Sequence, residues 1–190
     1  MKGQWLIIAL LSPVLSFSQE SSSGARFHMT ASVGMAAGES PVKPLFQVVS
    51  GVAHKKWFAG IGIAVDYYNL KSIPLFVDCK MNFGKKITAF LYADCGYGFS
   101  FDNTSSADNF YKASDRFLGG LYMDAGMGYC IKLNSLHHFS FSAGYSLKNI
   151  VHKVIYTYPC ITGTSCPAAI YRYHYTMGRI VAKLSWEFGK

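Results

Sequence analysis

The side chains that could do chemistry in this 190-residue chain fall into three sets. The first is charged: Asp66, Asp78, Lys80, Asp94, Asp124, Arg179 and Lys183. Carboxylates and cations held together can pass protons as acid and base, or they can neutralise one another as an ion-pair network. The second is His138-Phe139-Ser140, which puts a histidine and a serine on one face of a strand. General-base activation of a hydroxyl also needs a third group to orient the base. The third is Cys160 and Cys166, within Tyr158-Pro159-Cys160-Ile161-Thr162-Gly163-Thr164-Ser165-Cys166-Pro167. Such close spacing in a loop points to a disulfide in an oxidising compartment. The alternative is a metal pair, with His152 and His174 as the available further ligands.

What positions the charged set is a period of two. From Ile73 to Phe83, and again from Ile87 to Phe99, the odd positions are apolar. The even positions carry Asp78, Lys80, Asn82, Thr88, Asp94, Gly96 and Gly98. Successive side chains of a strand alternate faces, so one face is greasy and the other charged. Gly84-Lys85-Lys86 joins the two as an antiparallel hairpin. The two runs extend for roughly 11 and 13 residues, near the ~9–11 that a tilted strand needs to cross a bilayer. A greasy outer face around a charged inner one is the inverse of a soluble barrel and fits a transmembrane β-barrel.

The pattern repeats along the chain. Strands are predicted at Arg26–Gly38, Leu45–Ala53, Trp57–Asn69, Ile73–Phe83, Ile87–Phe99, Leu118–Leu133, His138–Lys148 and Gly178–Phe188. The second alternates poorly because of Val48-Val49, which leaves its faces unassigned. The fold class is therefore all-β: an eight-stranded antiparallel up-and-down transmembrane barrel, with short turns at one end and longer loops at the other. All seven charged residues fall on inward faces, with Asp66, Asp94, Asp124 and Arg179 at similar heights. An eight-stranded interior is just wide enough to be filled by side chains, which favours an ion-pair network over catalysis. Cys79 and Cys95 point outward and Cys130 inward, as small apolar residues. Trp57, Trp186 and Phe188 near one rim, and Tyr171 and Tyr173 near the other, are expected to form aromatic girdles.

Phe101–Phe117 is expected to be a polar loop. Asn149–Tyr158 and Ala168–Tyr175 are rich in β-branched and aromatic residues, which predicts that the last two strands continue as a projecting hairpin with the cysteines at its tip.

Met1–Ser18 reads as a secretory signal. It has Lys2, an apolar core from Trp5 to Leu15 and small residues at Ser16 and Ser18, and it leaves Gln19–Lys190 as one barrel domain. The formal charge is +8, but the basic residues are dispersed, so nucleic acid is not expected as a partner. No residues are assigned as catalytic, cofactor-binding or metal-ligating.

The chain resembles the small outer-membrane β-barrel proteins of Gram-negative bacteria, in the broad sense of OmpX, Ail and the OmpA membrane domain, and most of all their Bacteroidota-type versions. The residues that carry the resemblance are Ile73-Pro74-Leu75-Phe76-Val77-Asp78, Gly84-Lys85-Lys86, Ala93-Asp94-Cys95-Gly96-Tyr97 and Arg179 through Phe188. It implies an outer-membrane location, contact with outer-membrane lipid, and insertion by the barrel-assembly machinery, which reads a C-terminal strand ending in an aromatic residue. Here Phe188 is followed by Gly189-Lys190, a departure from that ending. A monomer is expected. The function this favours is a non-enzymatic barrel whose external loops, notably 149–173, mediate surface interaction or envelope integrity. Two alternatives remain. His138 and Ser140 superficially resemble the His-x-Ser of outer-membrane lipid A deacylases, a lipid-modifying activity. A secreted soluble barrel that binds a ligand inside is the other.

Overall fold

A computed structural model describes residues 24–39, 41–68, 71–84, 88–101, 103–108, 111–134, 136–157 and 169–189. The strands are β1 (Arg26–Gly38), β2 (Lys43–His54), β3 (Trp57–Asp66), β4 (Ser72–Phe83), β5 (Thr88–Ser100), β6 (Asn103–Asp108), β7 (Tyr111–Leu118), β8 (Gly120–Lys132), β9 (His137–Thr157) and β10 (Ala169–Gly189). Eight of them, β10-β1-β2-β3-β4-β5-β8-β9, pair in that order, and β9 pairs with β10 to close the ring. Every pairing is antiparallel.

Alternation decides which way each residue points. β3 switches between exposed and buried at every position from Trp57 to Asp66. The exposed side chains are the apolar ones: Ile61, Met127 and Ile180 are each about two-thirds exposed. The charged Asp66, Asp78, Asp94, Asp124, Arg179 and Lys183 are buried. Burying ions while exposing methyl groups is unfavourable in water and favourable in lipid. β2 obeys the same rule, because Val48 faces out and Val49 in.

Aromatic rings fill much of the lumen, and glycines on the inward face make room for them. A Cβ at Gly62 would run into the Phe76 ring, and one at Gly128 into Phe90. Phe58, Tyr68, Tyr92 and Tyr122 are buried alongside.

Two features lie beyond the eight-strand pattern. β9 and β10 each run for 21 residues, with one unbroken register from Phe188↔His137 to Ala169↔Tyr156. They form the projecting hairpin expected from the sequence. The segment expected to be a polar loop instead contains the β6–β7 hairpin, and β7 pairs with the upper part of β9. A bulge turns β7 into β8. Leu118 faces Val151 while Tyr122 faces Lys148, so three residues of one strand oppose two of the other. Gly119 and Gly120 sit in this bulge because a Cβ there would strike the carbonyl oxygens of Gly98 and Asn149. The result is a four-stranded sheet, β6-β7-β9-β10, standing on one side of the barrel mouth.

Candidate functional site: a filled lumen and a projecting sheet

Arg179, Lys183 and Glu187 follow one another at four-residue steps on the inward face of β10. Each anchors one tier of the interior. In the tier nearest the projecting sheet, the Arg179 guanidinium donates to Asp66 Oδ2 at 2.6 Å and, through Nε, to Ser146 Oγ at 3.2 Å. Lys148 Nζ lies 3.3 Å from the same Asp66 oxygen and donates to the Tyr68 carbonyl at 3.2 Å. Tyr68 and Tyr122 lie against the guanidinium, 5.3 and 6.0 Å from ring centre to Cζ.

The middle tier contains three aspartates in one cross-strand row, Asp78↔Asp94↔Asp124. Like charges directly opposite repel, so the row depends on donors from the facing wall. Lys183 Nζ reaches Asp124 Oδ2 at 2.8 Å and Asp94 Oδ2 at 3.5 Å. Gln47 donates to Asp94 at 3.2 Å and accepts from Lys183 at 3.2 Å, while the Tyr92 hydroxyl donates to Asp124 at 3.0 Å. Lys183 also sits 4.3 Å from the centre of the Tyr92 ring, a cation–π contact.

In the third tier Lys80 Nζ spans Asp78 at 3.9 Å and Glu187 at 3.5 Å. Glu187 also accepts from Ser140 at 2.8 Å and lies 3.6 Å from His28. The Ser140 hydroxyl thus points at a carboxylate, and His138 Nδ1 has no hydrogen-bond partner among the described residues.

The structure brings all seven predicted charges into this network, divided by partner. Asp66 and Arg179 form one cluster; Asp94, Asp124 and Lys183 form another. Lys148, Glu187, His28 and Gln47 complete it, and the sequence reading left them out. Alternation already placed Lys148, Glu187 and His28 on inward faces, which is the signal that could have found them. The void beside Asp78, Asp94 and Lys183 measures about 20 Å³, room for about one water molecule.

Trp57, Trp186 and Phe188 stand on the outward face at the rim of the short turns, where Trp186 Nε1 approaches His137 Nδ1 at 3.4 Å. Tyr171 and Tyr173 require a correction. They share strand parity with Arg179 and Lys183, so they continue the lumen side above the barrel rather than facing lipid. A girdle residue has to face outward, and these two belong to the projecting sheet. There the His152 ring stacks on Phe117, with centroids 4.4 Å apart and an 11° tilt, and lies 6.1 Å from Tyr173. Phe117, His152 and Tyr173 are direct cross-strand neighbours. Cys160, Cys166 and Met1–Ser18 lie outside the described residues.

An apolar exterior, a charged and filled interior and a closed eight-stranded ring define a membrane-spanning β-barrel of the bacterial outer-membrane type. No protein-family model and no curated protein matches the chain. The N-terminal β-barrel domain of Pseudomonas aeruginosa OprF is similar in structure, with a TM-score of 0.51 at 10% identity over 88% of this chain and 98% of that one. Pseudomonas aeruginosa OprG gives 0.48 at 10% identity, over 88% of this chain and 96% of that one. Neisserial surface protein A gives 0.45 at 11% identity, over 87% of this chain and 98% of that one. The OprF likeness shows the fold.

Proposed function

We propose that the chain is a non-enzymatic outer-membrane protein whose barrel holds a small β-sheet above the outer leaflet as a surface for recognition or envelope integrity, centred on residues 149–173. The observation that carries this reading is the contrast between a lumen packed with paired ions and a sheet that continues past it with aromatic residues exposed: Tyr171, Tyr173 and Tyr175 are each about half exposed. The lumen is filled at its middle and keeps a recess of about 210 Å³ at the short-turn rim, beside His28, His138 and Glu187, which supports a platform more than a through pore. The lipid-modifying alternative loses support because Ser140 donates to Glu187.

In this reading Met1–Ser18 directs export, the barrel-assembly machinery inserts the monomer, and a Cys160–Cys166 disulfide shapes the tip. The test compares cells carrying the wild type with cells in which residues 151–175 are replaced by an Asn-Gly turn. Adhesion to plates coated with purified surface polysaccharide and resistance to detergent are measured, with insertion checked by heat-modifiable gel mobility. Loss of either property with the barrel still inserted is expected. Unchanged adhesion and resistance would contradict the reading.

A further inference from the structure

The outer face of the projecting sheet carries a feature that neither the lumen nor the exposed tyrosines explain. Arg116 is the cross-strand partner of Lys153, and Lys153 is the partner of Arg172. All three point outward. Lys153 shares the parity of Phe141 and Tyr145, Arg172 that of Ile180 and Leu184, and Arg116 that of Leu118, all of them exposed apolar residues. Arg116 and Arg172 are exposed, and Lys153 is half-buried between them. None of the three is paired with a carboxylate among the described residues.

Three like charges on adjacent strands, spread over two spacings of about 4.8 Å each, repel one another. Each described cation of the lumen ion-pair network has an acidic partner within 4 Å. This row has none among the described residues, and its three cations stand side by side on neighbouring strands, so an external anion would relieve their mutual repulsion. Arginines at both ends suit phosphate, which the guanidinium fork grips with two hydrogen bonds.

Height selects the source of the anion. A strand rising about 3.3 Å per residue and tilted about 40° climbs about 2.5 Å per residue along the membrane normal. An apolar band about 25 Å tall that starts at Phe188 ends near Gly178, and Arg172 then stands about 15 Å above it. A phospholipid head group occupies only about 5–7 Å beyond the hydrocarbon. A membrane-anchored phosphate at the height of the row has to be carried on a sugar head group.

We propose that Arg116, Lys153 and Arg172 bind sugar-borne phosphates of an outer-leaflet glycolipid, clamping that lipid against the outer face of the projecting sheet. The inference rests on the membrane placement of the barrel and not on recognition by the tip.

The test uses full-length protein in zwitterionic detergent, titrated with fluorescent lipopolysaccharide, with the same lipopolysaccharide after dephosphorylation, and with inorganic phosphate as competitor against chloride of equal ionic strength. Arg116→Gln/Lys153→Gln/Arg172→Gln is expected to lose affinity on the order of a hundredfold, at about fivefold per cation. Dephosphorylation should give a loss of similar size. Lys55→Gln/Lys56→Gln/Lys132→Gln, which removes the same charge at the opposite rim, should change affinity by less than about threefold. Should the triple variant fail to show heat-modifiable mobility, Arg172→Gln alone is used, with about a fivefold loss expected. Equal affinity of the row variant and wild type, or of both lipopolysaccharides, overturns the proposal. So does full displacement by phosphate beyond the chloride control, which would make the row a site for a soluble anion. The triple variant changes two residues within 149–173 but keeps the exposed Tyr171, Tyr173 and Tyr175, so retained adhesion alongside lost lipopolysaccharide affinity separates this proposal from the recognition reading.

Discussion

β9 and β10 keep a single register from the membrane to the tip, yet the residues on them change character partway along. In the barrel, the inward positions of β10 include Arg179, Lys183 and Glu187, all buried and ion-paired, with Val181 and Ser185 buried between them, while the outward positions Ile180, Leu184, Trp186 and Phe188 are apolar. In the projection, the inward parity carries Tyr171, Tyr173 and Tyr175, and the outward parity carries Arg172 and His174, all exposed. The backbone is the same and the solvent is different. Lipid excludes unpaired charge, so the barrel confines its ions to the lumen and must pair them there. Water accepts either face, so the projection is free to distribute rings and cations for contact with other molecules.

The sharpest way to break this contrast is to unpair the lumen. Arg179→Leu leaves Asp66 with the Lys148 ammonium and the Tyr68 backbone N–H among the described residues, and removing one partner of a buried pair costs about 3–5 kcal/mol. Urea unfolding in lipid vesicles should show a lowered midpoint; an unchanged midpoint would mean that Arg179 is not buried against Asp66. The next largest effect comes from placing the same charge on the two outer faces. Met127→Arg, on the lipid side, should destabilise by about 2–4 kcal/mol if it lies near the bilayer midplane. Ile170→Arg, on the outer face of the projection, should stay within about 0.5 kcal/mol of wild type, as surface substitutions do. Equal effects at the two positions would erase the distinction between the regions. A smaller change separates them mechanically. Gly120→Val drives a side chain against the Asn149 carbonyl at the bulge, an overpacking cost of about 1–3 kcal/mol. Amide exchange should quicken along 112–118 and 151–157 while the barrel protons stay protected. Uniform loss of protection would show that the sheet and barrel unfold as one unit.

Most of the barrel was legible in the sequence because lipid enforces the period of two so strictly. One face of every spanning strand must be apolar, so Asp66, Asp78, Asp94 and Lys183 could be assigned to the lumen without coordinates. Partners were not legible. Glu187 and His28 stand at opposite ends of the chain and meet only because β1 closes on β10. The β6–β7 hairpin was hidden by composition. Asn103-Thr104-Ser105-Ser106-Ala107-Asp108 has the residues of a turn, and it is strand because β7 extends the edge that β9 offers. Tyr171 and Tyr173 were misplaced by composition as well. Tyrosine near a loop suggests a girdle, but counting parity down the strand to Arg179 puts both on the inner side.

The central claim is that the apolar face of the barrel meets lipid. Cys79 and Cys95 report on it directly, because both are exposed on the outward face of the protein while Cys130 is buried. The protein in membrane vesicles is treated with a membrane-impermeant sulfonated maleimide, and labelling is mapped by mass spectrometry before and after denaturation. Neither Cys79 nor Cys95 should be modified in the folded protein, and both should be modified once the chain is unfolded in detergent and urea. Rapid labelling of the two in the folded state would mean that water, not lipid, covers the greasy face, and the barrel would have to be read as soluble.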